Sequence, residues 1–252
     1  MKRSWSCTIV AIWVTLLASF ARGAAEDATA FAKANQEYAA GHYQQAIDGY
    51  ESLIRKNQPN AVLFYNLGNA WFRKGDRGRA ILQYERALAL DRQHPEAQAN
   101  LHLVRDEARA LELPKTRTDR YLGFATSDQY VWTAALAFWI AIFVLAVLLP
   151  GSRRSGATIA VLVGALLVFG GAAYACYAVD NGPQGRAVAI VTGKNIQARL
   201  ATADNAGAVL ALPAGSEVKI LSKRGEWVYA ALPNNLNGWI PAASVEPIRI
   251  RL

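Results

Sequence analysis

Two long runs without a single charged residue constrain this chain more than any other feature. They are Tyr130–Leu149 and Ala157–Ala178. About 20 helical residues at roughly 1.5 Å each match the ~30 Å hydrocarbon core of a bilayer. Tyr130 and Trp132 stand at the start of the first run, and Tyr174 and Tyr177 at the end of the second. Aromatics belong there, at the level of the headgroups. Only Gly151-Ser152-Arg153-Arg154-Ser155-Gly156 separates the runs, which leaves room for a tight turn alone. The expectation is a transmembrane hairpin: helix 130–149, turn 150–156, helix 157–178. The competing fold, a helical hairpin buried in a soluble core, is disfavoured by two uncharged runs of this length. Gly156, Ala160 and Gly164 share a face at four-residue spacing, as do Gly171 and Ala175, a pattern that permits close helix packing.

The N-terminus has its own apolar run. Lys2 and Arg3 precede Cys7–Phe20, and Ala21-Arg22-Gly23 follows. That is the charged, apolar and small-residue order of a secretory signal peptide over residues 1–23, with cleavage after Gly23. An uncleaved anchor would export the same residues. Export of the N-terminus puts residues 24–129 outside. The first span stops transfer, the Arg153-Arg154 turn stays in the cytoplasm, and the second span returns the chain outside. Lys115, Arg117 and Arg120 flank the outer side and weaken the charge rule, so the signal peptide carries the orientation.

The net charge of +8 raises nucleic acid as a partner. Its distribution argues against one. Residues 24–128 are neutral, with 14 basic and 14 acidic side chains, and the excess is divided among the N-terminus, the turn and the last 74 residues. No stripe forms. A charged share of 18% beside an apolar share of 53% argues equally against a disordered chain and an ordinary cytosolic enzyme. Two cysteines, Cys7 and Cys176, exclude a disulfide scaffold and a four-cysteine zinc site.

Residues 24–113 contain an internal repeat. Asn35, Tyr38, Gly41, Ala46, Ile47, Tyr50 and Glu51 recur 34 residues later as Asn69, Phe72, Gly75, Ala80, Ile81, Tyr84 and Glu85. Small residues stand where two helices would touch, and aromatics where they would interdigitate. This resembles the tetratricopeptide repeat, each unit two antiparallel helices. The units are 27–60 and 61–94, followed by a capping helix at 95–113 that Pro114 stops, and by a linker at 114–129. Gly41 and Gly75 fall in the turns. Two units and a cap are short of the three that usually bury a continuous core. A partner, a second copy of the chain or the membrane could complete it. The resemblance puts Asn35, Asn69 and Arg73 on the concave face. Asparagine can hold a peptide backbone as donor and acceptor, and arginine can fork onto a carboxylate. Asparagines that satisfy neighbouring helices beside a solvated arginine are the other reading.

From Arg186 the texture changes to period-two alternation broken by turns. Five strands are expected, at Ala187–Val191, Val209–Leu212, Val218–Leu221, Trp227–Leu232 and Gly238–Ile240, closing as a small barrel. Asn195 to Arg199, Leu212-Pro213-Ala214-Gly215-Ser216-Glu217-Val218, Gly225-Glu226-Trp227 and Gly238-Trp239-Ile240-Pro241 resemble, in that order, the bacterial SH3 domain over residues 186–248. Ala201 and Ala203 occupy a stretch where that family often has proline. The functional reading is a partner segment or a cell-wall peptide bound over Trp227, Tyr229 and Trp239. The other reading makes both tryptophans core and junction residues of the barrel, and it is favoured for Trp227 and left open for Trp239.

Nothing points to catalysis. His42, His94 and His102 lack metal-ligand spacing, and the phosphate-loop and nucleophile-elbow motifs are absent. No cofactor, metal or enzymatic activity is expected. The expected fold is a multi-domain membrane protein: all-α tetratricopeptide-like repeats, two transmembrane helices, and an all-β SH3-like barrel. This order resembles the BatE-like proteins of bacterial aerotolerance operons. The run Asn66-Leu67-Gly68-Asn69-Ala70-Trp71-Phe72-Arg73-Lys74-Gly75-Asp76 is similar to that family, as are Arg79–Leu88 and Pro95–Leu101. The resemblance implies a multi-pass protein of the bacterial cytoplasmic membrane. It also implies a scaffold that recruits von Willebrand A-domain membrane proteins in a complex with MoxR-type ATPases. Cell-wall peptide sensing through the barrel is the alternative. A channel subunit is a third reading, disfavoured because the spans carry no ionisable residues.

Overall fold

The computed structural model describes residues 27–56, 59–114, 121–122, 125–148, 155–181 and 187–249. The signal-peptide stretch 1–23 and the Arg153-Arg154 turn lie outside them. The chain divides into two compact units, one of helices up to Ala110 and one from Leu111 onward that holds the apolar helices and a sheet.

The first unit is a run of helices: α1 (27–39), α2 (Tyr43–Lys56), α3 (Ala61–Arg73), α4 (Arg77–Leu90) and α5 (Pro95–Ala108). Their starts are written in the sequence. The Asn60 side chain accepts from Leu63 N–H at 2.8 Å, and Asp76 accepts from Arg79 N–H at 3.0 Å. His94 Nδ1 accepts from Ala97 N–H at 3.4 Å, and Pro95 follows it, where its missing N–H costs nothing. Gly41 (φ 81°) and Gly75 (φ 86°) supply the left-handed residues that reverse the chain between the helices of each pair. The buried core repeats with the sequence: Ala46, Ile47 and Tyr50 in α2, and Ala80, Ile81 and Tyr84 in α4. Gly68 is small for a specific reason. A Cβ there would sit 2.7 Å from Cε1 of Tyr84, so the Tyr84 ring lies flat against α3 within its own unit. A buried pair, Glu85 and Arg105 at 2.6 Å, joins α4 to α5.

The helix expected over 95–113 ends earlier. It stops at Ala108, and Arg109 takes a left-handed conformation (φ 52°) with its N–H on the Arg105 and Asp106 carbonyls. Residues 111–113 then belong to the second unit.

That unit contains α6 (Ser127–Leu148) and α7 (Gly156–Asn181). Both are long and apolar enough to cross a membrane, and little of either is buried. Trp132, Phe143, Leu167 and Tyr177 are mostly exposed. The seam between the two helices is made of alanines: Ala137 and Ala141 of α6, and Ala165, Ala172 and Ala175 of α7 are buried. The face Gly156, Ala160, Gly164 expected for packing is exposed instead, and a Cβ at Gly156, Gly164 or Gly171 would meet nothing within 4 Å. Alanine already lets the backbones approach, so glycine is not needed at the seam. Tyr130 is also turned inward. It is buried with Ala175 and Val179, and its hydroxyl donates to the Leu122 carbonyl at 3.1 Å.

The sheet has seven antiparallel strands, two more than the alternation suggested. They are β1 (Val188–Val191), β2 (Ile196–Arg199), β3 (Ala208–Leu212), β4 (Glu217–Arg224), β5 (Trp227–Ala231), β6 (Asn237–Pro241) and β7 (Val245–Pro247), in the order β3-β2-β6-β5-β4-β1-β7. The additions, β2 and β7, are four and three residues long, and β7 ends on proline. Neither carries an apolar alternation: β2 buries only Ala198, and β7 only Val245. A 3₁₀ turn at Ala242–Ser244 leads into β7. Leu212 of β3 and Val245 of β7, from opposite ends of the order, share one core cluster with Ala198, Val228, Ala230 and Ile240. One face of the sheet therefore curls around a common core, although the order itself is linear. Residues 111–113 add to it. Glu217 N–H donates to the Leu111 carbonyl at 2.8 Å, Leu111 N–H to Ser216 Oγ at 3.0 Å, and Leu113 N–H to the buried Glu217 carboxylate at 3.0 Å.

Candidate functional site

The two asparagines expected on the concave face are engaged with tyrosines of their own units. Tyr50 OH donates to Asn35 Oδ1 and Tyr84 OH to Asn69 Oδ1, each at 2.7 Å and each across 15 residues. The repeat thus carries a repeated hydrogen bond from the first helix of each pair to the second. Asn69 Oδ1 also accepts from Asn100 Nδ2 at 3.0 Å, which ties α5 to α3. These carbonyl oxygens act inside the stack, and the amide N–H groups are what the side chains have left to offer a ligand.

Arg73 is placed differently. It ends α3, is exposed, and its guanidinium stands 5.4 Å from the centre of the Tyr43 ring. Tyr43 meets Tyr38 edge-on at 5.7 Å. The cluster Tyr38, Tyr43, Arg73 spans both repeats. Of the three, Arg73 was expected on the concave face and Tyr38 only as a repeat position. Nothing in the spacing of Tyr38 and Tyr43 around the Gly41 turn brings Arg73 to them. A cation held over a ring keeps its fork of N–H donors oriented at little entropic cost, which suits a carboxylate. Beside it Lys74 hydrogen-bonds Gln44 and lies 4.9 Å over the Trp71 ring, with Arg79 at 4.6 Å.

Burial raises three phenols here. Tyr50 is pushed up to about 12. Tyr84 is raised by burial against the opposing pull of Asn100. Tyr38 is raised by burial, with Arg73 drawing it back. All three stay neutral at physiological pH, so the positive charge of Arg73 is not cancelled by a phenolate.

Residues 61–94 carry the capped α3–α4 pair, the glycine turn at Gly75, and Tyr84 seated on Gly68. They match the tetratricopeptide repeat. The match covers the second unit of the stack. The first, looser in sequence, repeats the same Asn–Tyr bond and the same glycine turn in the tetratricopeptide manner. Among curated proteins none matches the chain.

On the sheet, core-facing and outward residues alternate. Val228 and Ala230 of β5 and Gly238 and Ile240 of β6 are buried. Trp227, Tyr229 and Trp239 are half-buried on the other face. Tyr229 stands directly opposite Trp239, with ring centres 5.0 Å apart and planes at 42°. The row continues to Ser222 of β4 on one side and Arg199 of β2 on the other. Arg199 was part of the sequence motif but not of the expected site. Its Nη1 donates to the Ala206 carbonyl at 3.0 Å, which fixes its stem beside Trp239. Among the described residues, no group of three His, Cys, Asp or Glu is placed to hold a metal ion.

Proposed function

We propose that the chain is a non-enzymatic, membrane-anchored adaptor. It recruits protein partners through the repeat stack, with the sheet module as a second contact. The observation that carries this reading is the joining of two things in one chain. A module of a kind that binds proteins, with the Arg73–Tyr43 cluster at its face, is continuous with two apolar helices whose large side chains are left uncovered. Burying that surface in lipid removes the cost of exposing it to water. The arrangement fits a signal peptide at the N-terminus, both modules outside the bacterial cytoplasmic membrane, and the Arg153-Arg154 turn inside. The bonds from Leu111 and Leu113 to Ser216 and Glu217 support placing both flanks of the hairpin on the same side of the membrane, since they join chain before the first helix to chain after the second. The resemblance to BatE-like proteins names the partners: von Willebrand A-domain membrane proteins in a MoxR-type complex.

The test is affinity purification of the full-length protein from detergent, wild type against Arg73→Glu. Recovery of A-domain membrane proteins with wild type and their loss from a folded Arg73→Glu variant supports the adaptor. Unchanged recovery moves the interface away from the repeats. Arg73 is a better probe than Asn35 or Asn69, whose removal would strip a buried tyrosine of its acceptor. A second reading is favoured by the Tyr229–Trp239 pair, half-buried on an otherwise outward face: binding of a cell-wall peptide. Failure of the protein to sediment with purified sacculi would remove it.

A further inference from the structure

The strand register shows which end of the sheet lies at the end of α7. Arg249 Nη1 donates to Asp180 Oδ1 at 3.0 Å, and Ile248 N–H donates to the Val188 carbonyl at 3.1 Å. The start of β1 and the end of β7 are therefore tied to the last turn of α7. β4 runs antiparallel to β1, with Lys219 opposite Val188 and Ile220 N–H on the Ala187 carbonyl at 2.8 Å. Past that point β1 has no residues left, but β4 continues to Arg224 and β5 returns from Trp227. The overhang from Ile220 to Arg224 reaches on the order of 15 Å at about 3.3 Å per strand residue. It extends in the direction from which β1 came, which is the α7 side.

The composition of the overhang is distinctive. Leu221 sits at a bulge and is 49% exposed. Lys223 and Arg224 are exposed, and Trp227, opposite Arg224, is half-buried. The one acid at the tip, Glu226, is exposed. An indole and an aliphatic side chain beside two cations suit the bilayer interface, where rings sit among headgroups and lysine and arginine meet anionic lipid. The opposite end of the sheet, at the β5–β6 turn from Leu232 to Asn237, has no aromatic residue.

We propose that the β4–β5 tip, through Leu221, Lys223, Arg224 and Trp227, rests on the anionic headgroups of the membrane crossed by α6 and α7. This rests on the membrane-anchored reading above. An acidic protein segment has the complementary charge too, but continuity with α7 favours the lipid surface.

The test uses the full-length protein carrying Cys7→Ser and Cys176→Ala, with single labelling sites at Arg224→Cys, Asn237→Cys or Leu167→Cys. Each labelled protein is reconstituted in phosphatidylcholine vesicles with and without phosphatidylglycerol. Fluorescence quenching by headgroup-nitroxide and acyl-chain-nitroxide lipids is then read. The expected result is severalfold stronger headgroup quenching at position 224 than at 237, falling when phosphatidylglycerol is omitted or salt is raised. Quenching at 224 no stronger than at 237, with Leu167→Cys quenched by the acyl-chain probe, overturns the proposal while leaving the membrane anchor standing. No acyl-chain quenching at 167 overturns the anchor itself. An unquenched tip whose fluorescence responds to a polyglutamate peptide assigns the surface to an acidic protein segment and also overturns the proposal.

Discussion

Gly68→Ala should destabilise the repeat stack, against the usual preference of helices for alanine. In an exposed helix the change would stabilise by about 1 kcal/mol. Here the new Cβ would stand 2.7 and 2.8 Å from two carbons of the Tyr84 ring, where ordinary contact begins at 3.4 Å. The ring must retreat by about 0.7 Å. It has little freedom to do so, because Tyr84 is fully buried and its hydroxyl is held by Asn69 at 2.7 Å. Overpacking of this kind costs about 1–3 kcal/mol, and a strained hydrogen bond adds about 1 kcal/mol. Set against the propensity gain, the net loss is about 2 kcal/mol, or roughly 30-fold in the local opening equilibrium. Hydrogen exchange of the full-length protein in detergent reads this directly, through the slow amides of α3 and α4. Exchange there should accelerate by about that factor, with the sheet peptides unchanged. Exchange that is unaltered or slower in α3 and α4 would refute the close approach of Tyr84 to Gly68.

Gly75→Ala tests backbone alone, since a Cβ at Gly75 meets nothing within 4 Å but φ is 86°. It should cost about 1 kcal/mol, seen as an earlier denaturation midpoint. Tyr84→Phe should cost about 1 kcal/mol by the same measurement, and Asn69→Ala more, because it strands both Tyr84 and the Asn100 amide. Alkaline pH should weaken the stack. Tyr50 holds its proton to about 12 when folded, but the unfolded chain releases it near its ordinary value of 10.0. The unfolded state then binds fewer protons, so stability is intact below about pH 10 and falls as pH rises, by at most about 1.4 kcal/mol per pH unit per group. A urea midpoint that stays flat across that window would contradict this, and Tyr50→Phe should reduce the slope.

The repeat was legible because its signals are local. Gly41 and Gly75 mark turns, and the 34-residue period aligns one unit on the other. The two apolar helices were legible from length and absence of charge. The role of Asn35 and Asn69 was harder to read, because an asparagine on a helix surface looks the same whether it meets a ligand or a tyrosine on the next helix. The Tyr43–Arg73 contact joins residues 30 apart in sequence with no pattern between them. β2 (Ile-Gln-Ala-Arg) buries only Ala198 and β7 ends on proline, so neither shows the apolar alternation of the other strands. The alanine seam of α6 and α7 was obscured by glycines that fit the expected spacing better.

The attachment of residues 111–113 to Ser216 and Glu217 means that the sheet is not contiguous in the gene. Leu111 and Ser216 are 105 positions apart, with both apolar helices between them. During synthesis residues 111–113 emerge early and wait for their partners until both apolar helices and the first three sheet strands have been made. The sheet core is therefore completed only after both apolar helices have been synthesised. A protein cut just before β1 would lose Leu111 from the edge of the core and the Leu113 N–H from the buried Glu217 carboxylate. A boundary drawn from residue 111 to the C-terminus, with the hairpin retained, follows the grain of the molecule better than one drawn at the start of the strands.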